Sequence, residues 1–229
     1  MFSRDVNERI SLLRERWSDP LLTTLTGLLI FLMFVVAPLQ AKGIIVFTEF
    51  GFFFALVLVA GVFVMSGSLT PVILMLIAVG MAGTGAVFRL STPSIHDAYL
   101  FSGAWLILGI TLGWVVARAV FARGRVTFHR IVGAILLYLT IAVTFVALFT
   151  FVGLLVPDAF SGLSFEDNPA LASRLIYFSF VTLTSTGYGD IVPVDPVARS
   201  LCNVEMIIGQ LYPATLLARL VTLELADRR

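Results

Sequence analysis

Apolar residues run in long blocks between short charged ones, and the distance from one charge to the next lays out the elements. A helix needs about 20 apolar residues to cross the ~30 Å hydrocarbon core of a bilayer. Residues 20 to 41 carry no charge between Asp19 and Lys42. Residues 50 to 88, between Glu49 and Arg89, are long enough for two spans broken at Ser66-Gly67-Ser68-Leu69-Thr70-Pro71. Residues 98 to 117 and 131 to 157 add two more, and Pro196 to about Leu223 adds another, interrupted only by Glu205 and Arg219. Leu175 to Gly189 is charge-free but too short to cross, and reads as re-entrant. Non-helical backbone at membrane depth is tolerated only where protein or water covers it. The pattern predicts an all-α membrane protein of six transmembrane helices, at about 20–41, 44–66, 70–89, 98–119, 130–157 and 196–225, with a re-entrant segment before the last.

Ahead of the first span, Val6, Ile10, Leu13 and Trp17 recur at spacings of four, three and four, the pattern of a helix lying along a membrane surface. Arg4, Arg9, Arg14 and Arg16 alternate there with Asp5, Glu8, Glu15 and Asp19, which excludes a cleavable signal peptide with an apolar core. The expected division is therefore 1–19 a cytoplasmic amphipathic segment, 20–125 a four-helix membrane domain and 126–229 a unit built on the last two spans.

Composition agrees with this layout: 59% of the residues are hydrophobic and 13% charged, with mean hydropathy +1.02, against about 45–50% and 25% in soluble domains. A net charge of +1 argues against nucleic-acid binding, and the single cysteine, Cys202, cannot form an intrachain disulfide. His96 and His129 are isolated, and no paired acids or Cys/His clusters have metal-ligand spacing, so no enzyme activity is expected.

Basic residues mark the sides of the membrane, because cytoplasmic loops are enriched in Lys and Arg. The amino-terminal segment has four arginines; Arg118, Arg123, Arg125 and Arg130 follow the fourth span, and Arg219, Arg228 and Arg229 close the chain. The other side has Lys42, Arg89, Arg174 and Arg199. Both termini are expected in the cytoplasm, in a multi-pass protein of the cell (inner) membrane. The clustered arginines are candidate contacts for anionic lipid.

One stretch differs from the rest, "TLTSTGYGD" at 182 to 190. Asn168-Pro169 is a good helix start, so "ALASRLIYFSFVT" is expected as a short helix, about 169–183, with the negative end of its dipole pointing into the membrane. The two glycines of Gly187-Tyr188-Gly189 permit backbone angles strained for other residues, so that successive carbonyls can point one way. Helix, short re-entrant helix, "TSTGYGD" and helix together resemble the pore of a potassium channel of the six-transmembrane type.

The resemblance implies carbonyl ligands for K+ at Ser185, Thr186, Gly187, Tyr188 and Gly189, with the Ser185 hydroxyl also at the innermost position. Thr184 would support the filter and Asp190 would sit at the outer mouth. The usual residues at 185 and 186 are Thr and Val or Ile, conservative differences for carbonyl geometry. One chain has one such segment and a ring needs four, so the resemblance implies a homotetramer, with K+ ions in the filter as its only cofactor. Similar channels carry a tryptophan pair where this chain has Tyr177 and Phe178; the Tyr177 hydroxyl is the candidate brace for Asp190.

Five acids and two arginines between Pro157 and Arg199 give −3 per chain near the proposed mouth, a charge that concentrates cations. Gly209 stands where similar channels have a hinge glycine, and Pro213 can add a kink. Both are candidate gating residues. So is Glu205, the one acid well inside a span, whose expected partner is Ser179 or Thr182 unless it faces the cavity in its protonated form. A voltage sensor carries about 3–4 positive charges through the field, and residues 98 to 117 hold none. Strong voltage gating is not expected, nor is a regulatory domain after Arg229. The alternatives are a poorly selective cation channel and a non-conducting accessory subunit.

Overall fold

A computed structural model of the chain describes residues 20–44, 59, 61–62, 66, 68–91, 95–121, 128–165 and 170–227. The expected amphipathic segment 1–19 and most of the expected span 44–66 lie outside the described residues. Among those described are five helices long and apolar enough to cross a membrane, with a shorter sixth. They are α1 (Pro20–Ala41), α2 (Leu69–Ser91), α3 (Ile95–Val120), α4 (Phe128–Leu155), the short α5 (Ala170–Leu183) and α6 (Pro196–Asp227). The chain is a multi-pass membrane protein by this measure. One departure from an all-α fold is a two-residue antiparallel ribbon, β1 (Phe160–Ser161) on β2 (Val192–Pro193), with Phe160 opposite Pro193.

α1 widens into a π-helical turn at Leu32–Val36, where the Ala37 N–H bonds back to the Leu32 carbonyl. Pro38 follows directly. Its ring has no N–H to donate and would clash with a carbonyl four residues back, which the wider turn relieves. The same turn carries Phe34, whose ring lies 5.1 Å from that of Phe180 on α5.

Two apolar clusters hold the helices together. Leu22, Leu25, Leu29 and Met33 of α1 pack with Leu112, Val115 and Val116 of α3, with Ala134, Leu136 and Leu137 of α4, and with Leu183 at the end of α5. Thr26 Oγ1, which donates to the Leu22 carbonyl within α1 at 2.6 Å, also comes within 3.3 Å of the Val132 carbonyl of α4. This core runs across the 125/126 division, so the first helix buttresses the carboxyl-terminal helices directly.

The second cluster joins Phe145 and Phe149 of α4 to Phe160, Leu175, Phe178, Ile191 and Cys202. Phe149, Phe160 and Phe178 meet pairwise at 5.0–5.7 Å in tilted or edge-on geometry, contacts worth about 0.5–1.5 kcal/mol each beyond their burial. They pin β1 and the middle of α5 to α4.

Candidate functional site: the 184–190 loop and its supports

α5 ends at Leu183, and the chain turns back on it. Thr184 N–H bonds to the Phe180 carbonyl at 3.0 Å, Ser185 N–H to Thr182 at 2.9 Å, and Thr186 and Gly187 N–H to Val181 at 2.9 and 3.4 Å. The last carbonyls of a helix have no partner within it, and here the loop supplies them. The loop therefore begins from a fixed position.

Beyond that point the backbone alternates in hand. Ser185, Gly187 and Gly189 have φ of +56°, +62° and +80°, whereas Thr186 and Tyr188 keep negative φ. An alternation in the sign of φ is the backbone pattern that can turn successive carbonyls toward one side. Glycine takes this conformation at no steric cost, but at Ser185 it is uncommon for a side-chain-bearing residue and a mark of functional sites. All seven residues from Thr184 to Asp190 are exposed in the single chain.

Side chains secure both ends of the loop. At its start, Thr184 Oγ1 donates to the Phe180 carbonyl at 2.6 Å and lies 2.8 Å from Thr186 Oγ1. Gln210 Nε2, on α6, donates to Ser185 Oγ at 3.1 Å. At its far end, the Tyr188 ring stacks on Tyr177 with centroids 6.2 Å apart and planes 3° from parallel. The Tyr177 hydroxyl donates to Asp190 Oδ1 at 3.0 Å. The structure thus brings Tyr177, Tyr188 and Asp190 together at one end, and Thr184, Ser185 and Thr186 at the other.

Sequence reasoning missed three supports. Gly162 packs so close to Asp190 that a Cβ there would strike the Asp190 carbonyl, and Arg174 donates to the Gly162 carbonyl. Gln210 was overlooked as well, although a lone amide beside Gly209 in an apolar helix is a visible signal. α6 starts on an N-cap at Asp195, whose Oδ1 accepts from Val197 and Ala198 N–H at 2.7 and 3.2 Å, with Pro196 at the first helical position.

The three candidate gating residues lie on a single uninterrupted helix, since α6 continues through Pro213. Gly209 is where α6 approaches α5: a Cβ there would overlap the Leu183 carbonyl oxygen and lie 2.8 Å from its carbon. Close packing thus accounts for this glycine in the structure. Glu205 does not face open space; it is fully buried, and its partner is Ser179 at 2.5 Å. Of the arginines read as lipid contacts, Arg118 lies over the Trp114 ring at 5.1 Å. Arg219 donates to the Phe121 carbonyl at 2.9 Å and lies over the Phe121 ring. Arg123, Arg125, Glu166, Asp167 and Asn168-Pro169 fall outside the described residues.

The ion channel family model matches residues 134–224, the stretch from α4 through the loop to α6. The match supports an ion channel. It covers less than half of the chain and leaves α1 to α3 outside. Protein LctB of Bacillus caldotenax is 36% identical over 56 residues, which are 24% of this chain and 41% of that protein. The alignment therefore spans well under half the length of that relative. No solved structure matches.

Proposed function

We propose that the chain forms a potassium-selective channel that conducts K+ passively through a central pore, with α4 as outer helix, α5 as pore helix, 184–190 as filter and α6 as inner helix. The observation that carries this reading is the alternating backbone at Ser185, Gly187 and Gly189 in a loop exposed along its whole length. Carbonyls facing one side replace the hydration shell of a cation when four such loops surround it. The working unit is a homotetramer, and K+ binds at Ser185, Thr186, Gly187 and Tyr188, with Gly189 above them. The protein sits in a cell membrane with both termini in the cytoplasm.

The test is flux from potassium-loaded liposomes holding the purified protein, run against sodium and repeated with barium. Potassium-selective, barium-blocked flux is expected. Equal sodium flux would replace the reading with a poorly selective cation channel, and absence of flux from an intact tetramer would favour an accessory subunit.

The Tyr177–Asp190 bond gives a smaller prediction. Tyr177→Phe keeps the ring stack on Tyr188 and removes one hydrogen bond, worth about 0.5–1.5 kcal/mol. Selectivity should survive, while potassium flux should decline faster during a sustained gradient as the outer end of the loop loosens. A decay indistinguishable from that of the parent would show that the bond does not brace the filter.

A further inference from the structure

Ser179 Oγ lies 3.0 Å from the Ala142 carbonyl of α4 and 2.5 Å from Glu205 Oε1 of α6. A serine hydroxyl has one proton and a carbonyl only accepts. If Ser179 donates to Ala142, the proton in the shorter contact must come from Glu205. Glu205 and Ser179 are both 0% exposed, and Oε2 of Glu205 has no hydrogen-bond partner among the described residues. No basic side chain among the described residues acts on this carboxyl. The titratable groups that feel it are Tyr138 from α4 and Cys202 on its own helix, and α5 presents Ser179 and Thr182. A lone carboxylate is too costly to bury ionised without a partner, whereas a neutral acid leaves only a carbonyl oxygen unsatisfied.

We infer that Glu205 is a neutral carboxylic acid that donates its proton to Ser179, which donates to Ala142, so that one hydrogen-bonded relay joins α6, α5 and α4 behind the 184–190 loop. The register of the two helices supports this. Ser179 and Leu183 are one turn apart on α5, Glu205 and Gly209 one turn apart on α6, and the pairs meet: Ser179 with Glu205, and Leu183 with Gly209. Residues four apart share a helix face. Glu205 thus fixes the depth at which α5 rests on α6, and the loop starts immediately after Leu183. It is a positioning residue that touches no ion. This role rests on the channel reading for its effect on flux, but not for the relay itself.

Three variants and one spectrum test the relay. Glu205→Gln keeps a neutral donor of the same shape, and is expected to keep oligomer stability and potassium selectivity. Ser179→Ala leaves the buried Glu205 proton without its acceptor, and Glu205→Leu removes the link from α6 to Ser179 while Ser179 keeps its bond to the Ala142 carbonyl. Each is expected to lower the ratio of intact to dissociated oligomer by about tenfold or more and to weaken discrimination against sodium. The infrared spectrum of the parent at neutral pH should show a protonated carboxyl band that Glu205→Gln removes. Absence of that band, or a Glu205→Gln variant as damaged as Glu205→Leu, would overturn the inference. Were the parent to carry no potassium flux, the channel reading would fail, while the band and the oligomer ratios would still decide the relay.

Discussion

Gly187→Ala is expected to abolish potassium-selective flux while leaving the oligomer and its helix content intact. Beyond its own chain neighbours, no atom lies within 4 Å of the place a Cβ would occupy at Gly187, so the substitution meets no clash with the rest of the chain. What it meets is backbone strain. Gly187 has φ +62°, and a side-chain-bearing residue held in the left-handed region costs about 1–2 kcal/mol, roughly five- to thirty-fold in population. The loop is exposed from Thr184 to Asp190, and at this residue its restraint is the long 3.4 Å bond from Gly187 N–H to the Val181 carbonyl. Alanine relaxes toward negative φ, the alternation of hand breaks, and one carbonyl per chain turns away from the common side. Flux and selectivity in liposomes, measured beside oligomer size, check this. A variant as selective as the parent would remove the loop from the ion path.

Gly209→Ala should do the opposite, failing in assembly before conduction can be measured. The added methyl overlaps the Leu183 carbonyl oxygen, with the carbonyl carbon at 2.8 Å and Leu183 Cδ1 at 3.1 Å. A flexible side chain could swing aside, but the obstacle is backbone at the end of α5, where the following residues are already bonded back to Phe180, Val181 and Thr182. Overpacking of a fitted core costs about 1–3 kcal/mol, and more where backbone must shift. The α5–α6 contact opens, and the neighbouring Ser179–Glu205 bond opens with it. Thermal dissociation of the oligomer is the measurement, and a large drop in midpoint is expected. A hinge glycine would behave differently, with a stable oligomer and altered opening, and that result would support the gating role.

The contrast between the two glycines shows what each level of description supplies. Both were legible in the chain as glycines near the quoted segment. Only the tertiary structure distinguishes a glycine at positive φ from one pressed against a neighbouring backbone. Charge spacing came close to the bounds of two long apolar helices: the stretch expected at 70–89 is helix Leu69–Ser91, and that expected at 98–119 is Ile95–Val120. The π-turn before Pro38 was foreseeable from the proline, but its use was not, because the partner of Phe34 lies 146 residues away on α5.

Apolar length, the side-chain types of "TSTGYGD" and the positions of Gly and Pro are local properties, and they were enough to predict several long apolar helices and a short one before the last. Partner choice is not local. Whether Glu205 met Ser179, Thr182 or water, whether Gly209 hinged or packed, and that Gln210 reaches Ser185 and Gly162 backs Asp190, depended on which helix faces came together and at what depth. Burial of Leu22, Leu25, Leu29 and Met33 gathers α1, α3, α4 and the end of α5 into one core, and the Ser179–Glu205 and Leu183–Gly209 contacts seat α6 against α5. Hydrophobicity drives a face inward without naming the face it will meet; close packing and the satisfaction of buried polar groups make that selection.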